Sequence, residues 1–160
     1  MAIRIFVTGG TFDKSYNELT GELYFKDTHL LEMLKLGRCK TDLQIRTLMM
    51  TDSLSMTEED RKIILNNCQK AAEERIVITH GTDTMVETAR HLADIKGKTV
   101  VLTGALEPAL FKTSDAVFNI GCAVASVQIL NPGVYVAMNG CIFTPDRVRK
   151  NREANRFEST

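Results

Sequence analysis

The segment from Arg75 to Leu92 constrains the fold of this chain more than any other. It begins with an apolar run, Arg75 to Ile78, that is typical of a buried strand. The polar turn Thr79-His80-Gly81-Thr82-Asp83-Thr84 follows, and then come apolar residues at helical spacing. A strand, a glycine turn and a helix form the repeating unit of an α/β fold with a parallel sheet. Because ligands bind at the carboxyl edge of such a sheet, the polar turn is a candidate binding site.

Three other predicted strands also end in small polar residues. These are Thr8 to Thr11, Thr51 to Ser53 and Thr103-Gly104. Parallel strands place their carboxyl ends at one edge of a sheet, so we expect the four polar groups to line one pocket for a small polar ligand. The alternation of strands and helices, without a linker or a repeat, predicts an α/β fold. We expect three α/β/α layers with a mostly parallel, Rossmann-like sheet, in a single domain over residues 1–160.

Composition excludes several classes of protein. The 20 Lys and Arg residues balance the 20 Asp and Glu residues, and Trp is absent, so nothing suggests a surface for nucleic acid. No stretch approaches the ~20 apolar residues of a membrane span. The four cysteines show no metal-ligand spacing, and the N-terminus leads into a strand without a signal-peptide pattern. We expect a cytoplasmic protein with reduced thiols, no metal or cofactor, and no nucleic-acid or membrane partner.

Two segments show no regular pattern. The residues from Phe12 to Thr28 are mostly polar and include too few apolar residues to anchor them. We expect a flexible loop over the candidate site, since long irregular segments in compact domains are usually functional or disordered. The charged segment from Thr144 to Thr160 contains a basic run, Arg147 to Arg152, and its pattern predicts no particular structure.

Three motifs resemble the N-terminal domain of bacterial L-asparaginases in their sequence, order and spacing. They are Thr8-Gly9-Gly10-Thr11, the segment from Thr79 to Ala89, and the segment from Val101 to Ala105. Shorter likenesses lie at Asp52-Ser53, at Asp115 with Phe118-Asn119, and at Arg147 to Lys150. The resemblance covers essentially the whole chain and ends where the second domain of that family begins. It therefore implies a short member of the family, without the C-terminal domain.

The resemblance also implies a reaction, the hydrolysis of L-asparagine to L-aspartate and ammonia by a threonine nucleophile. Thr11 matches the nucleophile. Ser53 matches a residue that holds the α-carboxylate of the substrate. Thr82 and Asp83 match the pair that positions the substrate, with Asp83 on its α-amino group. Lys150 matches the lysine that hydrogen-bonds to Thr82.

The family also has a loop tyrosine that activates the nucleophile. We prefer Tyr16, which lies in the polar part of the loop close behind Thr11, and keep Tyr24 as the alternative because it alternates with apolar residues. His80 is expected to be a structural hydrogen-bonding residue. Further substrate contacts are expected at four positions: Gly10, Asp52, Gly81 and Ala105.

The chemistry of these residue types agrees with that mechanism. A hydroxyl is a weak nucleophile unless a neighbouring group activates it. The positive charge of Lys150 would favour the ionised form of a nearby hydroxyl, and a phenol could relay the proton. Backbone N–H groups of the Gly81 to Asp83 turn and near Ala105 could stabilise the oxyanion of a tetrahedral intermediate.

Several alternatives remain open. Thr82 or Asp83 could serve only as an N-cap, and Lys150 could be one solvated cation of a basic tail. In two-domain relatives a neighbouring subunit supplies an acidic residue near the α-amino group, and Glu107 is a candidate to replace it. Other functions are a glutaminase or related amidase, a non-catalytic amino-acid-binding module, and an amidotransferase subunit. We expect a homodimer or a larger homo-oligomer, as in the relatives.

Overall fold

The computed structural model describes residues 1–160 and contains ten strands and four α-helices. The strands are β1 (Ile3–Gly9), β2 (Lys14–Tyr16), β3 (Leu23–Phe25), β4 (Leu43–Thr51), β5 (Arg75–Thr79), β6 (Thr99–Thr103), β7 (Gly133–Met138), β8 (Cys141–Phe143), β9 (Val148–Asn151) and β10 (Arg156–Ser159). The α-helices are α1 (Leu30–Leu36), α2 (Glu58–Lys70), α3 (Met85–His91) and α4 (Ala116–Ile129). Short 3₁₀ turns lie at Thr11–Asp13 and Ser53–Ser55.

Six strands form the central sheet in the order β4-β1-β5-β6-β7-β8. The first five are parallel, and β8 is antiparallel to β7 through the turn at Asn139-Gly140. The chain goes from β1 out to β4 and then back to β5 on the other side of β1. The carboxyl ends of β1 and β5 therefore flank the point where the strand order reverses, and that crevice is where ligands bind in open α/β sheets.

Alternate residues of each central strand pack on opposite faces of the sheet, as the two-residue period of a strand requires. Ile76 and Ile78 lie in an apolar cluster with α2 and α3, whereas Val77 lies in a second cluster with α1 and α4. All three side chains are fully buried. The predicted α/β/α layering with a mostly parallel sheet is confirmed.

The expectation of an irregular, unanchored loop after β1 is wrong in two respects. Phe12 is fully buried in the cluster beneath α1 and α4. The strands β2 and β3 then form an antiparallel hairpin in which Lys14 pairs with Phe25. Strands of three residues are too short to show a period in the sequence, which is why the hairpin was not predicted.

The charged C-terminal segment also forms a hairpin, from β9 and β10. Val148 and Phe157 are almost completely buried in the cluster that contains α2 and α3. The backbone N–H of Phe157 donates to the side-chain oxygen of Asn139 at 2.7 Å, which fixes the hairpin beside the β7–β8 turn. The four α-helices contain 7 to 14 residues each, and none has the length and apolar character of a membrane-spanning helix.

Candidate functional site

The loops after β1 and β5 meet without an intervening side chain. A Cβ atom built on Gly10 would overlap the Cα and N atoms of Gly81, and Gly10 has a φ of +80°, where a side chain is strained. A Cβ on Gly81 would in turn lie 2.6 Å from the Cβ and Oγ atoms of Ser53. The glycines thus allow three loops to converge, and they place half-buried Thr11 beside the turn that contains Thr82.

Hydrogen bonds join the loop after β4 to the turn after β5. Ser53 is buried, its Oγ accepts from the backbone N–H of Thr84 at 3.3 Å, and its carbonyl oxygen accepts from the Thr84 hydroxyl at 2.9 Å. The Asp52 side chain accepts from the N–H of Leu54 and caps the short 3₁₀ turn. These hydrogen bonds therefore hold the backbones of the two loops in place.

The C-terminal hairpin brings Lys150 into this group. Its Nζ donates to Thr82 Oγ1 at 2.8 Å and to Asp83 Oδ1 at 2.9 Å, and only 16% of the Lys150 side chain is exposed. Arg152, two residues further on, forms an ion pair with the same Asp83 oxygen at 3.2 Å. Thr82 is buried, with 6% of its surface exposed. A hydroxyl this close to an ammonium is one whose ionised form is electrostatically favoured.

The alternative that Thr82 or Asp83 serves only as the N-cap of α3 does not agree with the structure. The N-cap of α3 is Thr84, and its side chain makes no capping bond. The hydrogen bond of Thr82 is made with Lys150, a residue of the distant hairpin. Capping therefore does not explain the polar side chains of this turn.

Lys14 and Asp52 form an ion pair between the β2–β3 hairpin and the loop after β4, with Nζ 2.7 Å from Oδ2. The hydrogen bond from Lys14 lowers the pKa of the Asp52 carboxyl below its ordinary value. The Lys14 ammonium also lies over the ring of Phe25, 5.6 Å from its centroid. The hairpin that follows Thr11 is therefore tied to the loop that contains Ser53.

A chain of buried hydrogen bonds supports the Gly81 turn from behind. Arg61 Nε donates to Thr88 Oγ1 at 3.2 Å, and Thr88 Oγ1 lies 2.8 Å from His80 Nε2. His80 Nδ1 is 2.7 Å from the carbonyl oxygen of Gly81. Since a carbonyl only accepts, Nδ1 donates to it, and Nε2 accepts from the Thr88 hydroxyl. Burial lowers the pKa of His80 to about 4, so the imidazole is neutral and structural, as predicted.

The structure does not bring either candidate tyrosine into hydrogen-bond contact with Thr11. Tyr16 is 45% exposed and its ring packs edge-on against Phe111, with the centroids 6.4 Å apart. Tyr24 is 43% exposed and lies opposite Ser15 in the hairpin, on the other face from Tyr16.

Two further predicted residues lie on the loop after β6. Ala105 is buried, and the preceding Gly104 lies against the carbonyl oxygen of His80, which brings this turn next to the one after β5. Glu107 is exposed, and its carboxylate accepts a hydrogen bond from the Thr113 hydroxyl at 2.6 Å. Nothing in its contacts links Glu107 to Asp83.

No group of three or more His, Cys, Asp or Glu side chains is arranged to hold a metal ion. The polar groups at this edge of the sheet are hydroxyls, two ammonium groups, one guanidinium and two carboxylates. That set suits a small polar molecule with charged ends.

The chain matches the family model described as Asparaginase, N-terminal, over residues 2–159. The chain belongs to the asparaginase family. An L-asparaginase of Thermococcus kodakarensis is 30% identical over 156 residues, which is 94% of this chain and 48% of that protein. The solved structure of the thermostable L-asparaginase from Thermococcus kodakarensis superimposes with a TM-score of 0.86 at 29% identity, over 99% of this chain and 51% of that chain.

A different kind of relative is also similar. A glutamyl-tRNA(Gln) amidotransferase component from Methanococcus vannielii is 34% identical over 149 residues, or 86% of this chain and 34% of that protein. The chain thus spans a third to a half of the length of these relatives. The expected family and its fold are confirmed.

Sequence reasoning missed several residues of this site. Lys14 belongs to no motif, and its ion pair with Asp52 joins segments that are far apart in the sequence. Arg152 was seen only as part of a basic run. Arg61 and Thr88 lie on helices whose sequence pattern is defined by their apolar residues. The structure buries Arg61 within α2, and a buried charged residue is unusual enough to indicate a partner.

Proposed function

We propose that this site hydrolyses the side-chain amide of L-asparagine to L-aspartate and ammonia, with Thr11 as the nucleophile. The observation that supports this most is the pair of bonds from Lys150 to Thr82 and Asp83, beside the Gly10–Gly81 contact that holds the Thr11 loop. The Thr82 hydroxyl, the Lys150 ammonium and the Asp83 carboxylate thus form one group beside the loop that contains Thr11. Membership of the asparaginase family supports the same reaction.

In the first half of the proposed reaction, Thr11 Oγ1 attacks the amide carbon, and its proton passes to the oxygen of the activating tyrosine, which gives up its own phenolic proton in turn. The oxyanion that develops on the amide oxygen is stabilised by backbone N–H groups of the Gly81 to Asp83 turn. The relayed proton then goes to the amide nitrogen and the C–N bond breaks. Ammonia leaves, and the aspartyl group is bound to Thr11 as an ester.

In the second half, a water molecule attacks the ester carbon and the bond to Thr11 Oγ1 breaks. The water gives one proton back to Thr11 through the same hydroxyl groups, and L-aspartate leaves. Lys150 assists because its charge favours the ionised form of Thr82, so Thr82 can pass its own proton on towards Thr11 as it accepts one from the water. All protons are thus exchanged among groups at the site and water.

The substrate's charged ends have partners in the proposed complex. Asp83 would bind the α-ammonium, and Ser53 would hold the α-carboxylate. Backbone groups at Gly10, Gly81 and Ala105, with the Asp52 loop, would complete the pocket. Tyr16 must move towards Thr11 to act as the proton relay, which requires the β2–β3 hairpin to close when substrate binds.

Ammonia release from asparagine by the purified chain tests this function. We expect turnover for the wild type and none above background for Thr11→Ala. Thr20→Ala, an exposed threonine at the tip of the same hairpin, is the matched control and should retain wild-type activity. Absence of ammonia release from the folded wild type would contradict the assignment, as would activity of Thr11→Ala within a few-fold of wild type.

Three other functions would use the same site. Relative rates with asparagine and glutamine separate the proposed reaction from that of a glutaminase. The likeness to an amidotransferase component supports a second candidate, in which ammonia is passed to a partner protein. That function predicts activity only in the presence of a partner, whereas the proposed one predicts turnover by the chain alone. A module that binds amino acids without turnover would bind aspartate and release no ammonia.

We propose that the chain acts as a homodimer or larger homo-oligomer. Helix α4 contains no charged residue, and it exposes apolar side chains that include Phe118 at 59% and Ile129 at 85%. Closed symmetric assemblies commonly bury such surfaces. A monomer by sedimentation at working concentration would contradict this.

The four free cysteines fit a reducing compartment such as the cytoplasm.

A further inference from the structure

Asp83 interacts with two cations. Lys150 Nζ lies 2.9 Å from its Oδ1, and Arg152 Nη1 lies 3.2 Å from the same oxygen. The other charged residues of this hairpin near Lys150 are Arg149 and Glu153, and neither pairs with Asp83 or Lys150. The Arg149 guanidinium bonds instead to Glu158 at 2.7 Å.

The two cations differ in how firmly they are held. The Lys150 side chain is 16% exposed and is bonded to Thr82 as well, so its position is determined by the site. The Arg152 side chain is 66% exposed and contacts Asp83 from the solvent side. Arg152 is therefore not needed to position Thr82, but its charge reduces the negative potential that Asp83 presents to the pocket.

We propose that Arg152 is a specificity-determining residue that lowers the affinity of the site for substrates with an α-ammonium, relative to amides that lack this group. The inference rests on the proposed function, in which Asp83 binds the α-ammonium. A substrate ammonium at Asp83 meets one carboxylate shared with two cations, and the Arg152 guanidinium repels it. The monoamide of a dicarboxylic acid without an amino group, such as succinamic acid, does not experience that repulsion.

The size of the effect follows from the exposure of Arg152. Ion pairs at exposed positions are weak because water and salt screen them. Removal of the guanidinium should therefore change the preference between the two substrate classes by about two- to fivefold. The change should occur in KM rather than in kcat, because Arg152 does not contact the reacting amide.

The experiment compares kcat/KM for asparagine and for succinamic acid. In Arg152→Gln the ratio of asparagine to succinamic acid should rise about two- to fivefold, and Arg152→Lys should keep the wild-type ratio. Arg149→Gln is the matched control, since Arg149 pairs with Glu158, and it should leave the ratio unchanged. At about 1 M NaCl, where the Debye length is ~3 Å, the difference between Arg152→Gln and wild type should disappear.

A binding measurement separates failure of this inference from failure of the proposed function. Calorimetry on Thr11→Val, which lacks the nucleophile, compares L-aspartate with succinate, which differs only by the amino group. Higher relative affinity for aspartate in Thr11→Val/Arg152→Gln supports the role of Arg152. Binding of both ligands with an unchanged ratio overturns that role alone. If neither ligand binds and no amide is hydrolysed, both the inference and the proposed function are wrong.

Discussion

The backbone of Gly10 lies directly against that of Gly81, so the loop that contains the proposed nucleophile touches the turn that contains Thr82. On its other side, Gly81 packs against Ser53. Three loops therefore share a contact that leaves no room for a methyl group. Any side chain at this point would separate the groups that the proposed reaction needs together.

Gly81→Ala should therefore reduce both stability and activity. The added Cβ would lie 2.6 Å from two side-chain atoms of Ser53, so the loops must move apart. We expect a loss of about 1–3 kcal/mol in the free energy of unfolding and a larger proportional loss in kcat/KM. Gly121→Ala in α4 is the control, because nothing lies within 4 Å of its Cβ position. There we expect stabilisation of up to ~1 kcal/mol. Equal activity in both variants would contradict a close contact at Gly81.

Lys150→Gln should lower kcat by about 10²-fold or more, because the uncharged amide of the glutamine side chain cannot stabilise an ionised Thr82 hydroxyl. Arg152 still pairs with Asp83 in this variant, so the fold and the thermal unfolding temperature should change little. Lys62→Gln removes an exposed lysine that pairs with Glu59, and it should have wild-type kinetics. Steady-state kinetics and a thermal melt on all three proteins make the comparison. A kcat for Lys150→Gln within a few-fold of wild type would show that the cation is not part of the reaction.

Tyr16→Phe and Tyr24→Phe form a matched pair on opposite faces of one hairpin. Each keeps the ring and removes only the hydroxyl, so packing such as that of Tyr16 on Phe111 is preserved. We expect kcat to fall by at least ~10²-fold in Tyr16→Phe and to change little in Tyr24→Phe, if Tyr16 relays the proton. The reverse result would assign the relay to Tyr24. Wild-type kcat in both variants would exclude a tyrosine relay.

The stability of the protein should fall between about pH 6.5 and pH 4 because of His80. In the folded state its pKa is about 4, below the ordinary 6.5, so the unfolded chain binds a proton in this range and the folded chain does not. The free energy of unfolding contributed by His80 is therefore complete above pH 6.5 and is lost as pH falls towards 4. The amount is on the order of 3 kcal/mol.

Chemical denaturation at a series of pH values measures this dependence. His80→Asn should be less stable at neutral pH and should show a flatter curve between pH 6.5 and 4. His91→Gln removes a histidine that is only partly buried, at the end of α3, and should keep the wild-type slope. A wild-type slope in His80→Asn would mean that other groups cause the acid sensitivity.

The sheet and its polar edge could be predicted because each depends on residues that are close in sequence. Ile76, Val77 and Ile78 indicate a buried strand, and Gly81 indicates the turn behind it. The resemblance to a family predicted the meeting of Lys150 with Thr82, but no spacing in the chain does so, since 68 positions separate them. The roles of individual residues in turnover stay predictions.

The contacts of Lys14 and Arg152 were missed for a physical reason. Each lies on a very short strand or the turn beside one, where neither a hydrophobic period nor a capping signal exists. Their partners, Asp52 and Asp83, are determined only by the packing of whole elements: the buried Phe12 fixes one hairpin, and the buried Phe157 fixes the other. Phe12 and Phe157 are each a single apolar residue among polar ones, and an analysis of hydrophobic periodicity does not detect a single residue.

The position of Lys150 on the C-terminal hairpin affects how the site can form during synthesis on the ribosome. The five parallel strands are complete once the chain has passed Met138, but β9 needs β10 as its partner, and the hairpin is held through Phe157. A nascent chain can therefore fold its sheet and still lack the ammonium beside Thr82 until Phe157 has left the exit tunnel. Chemistry at the proposed nucleophile, Thr11, would therefore begin only after the residues up to Met138 have folded, when the emerging β9–β10 hairpin brings Lys150 to Thr82.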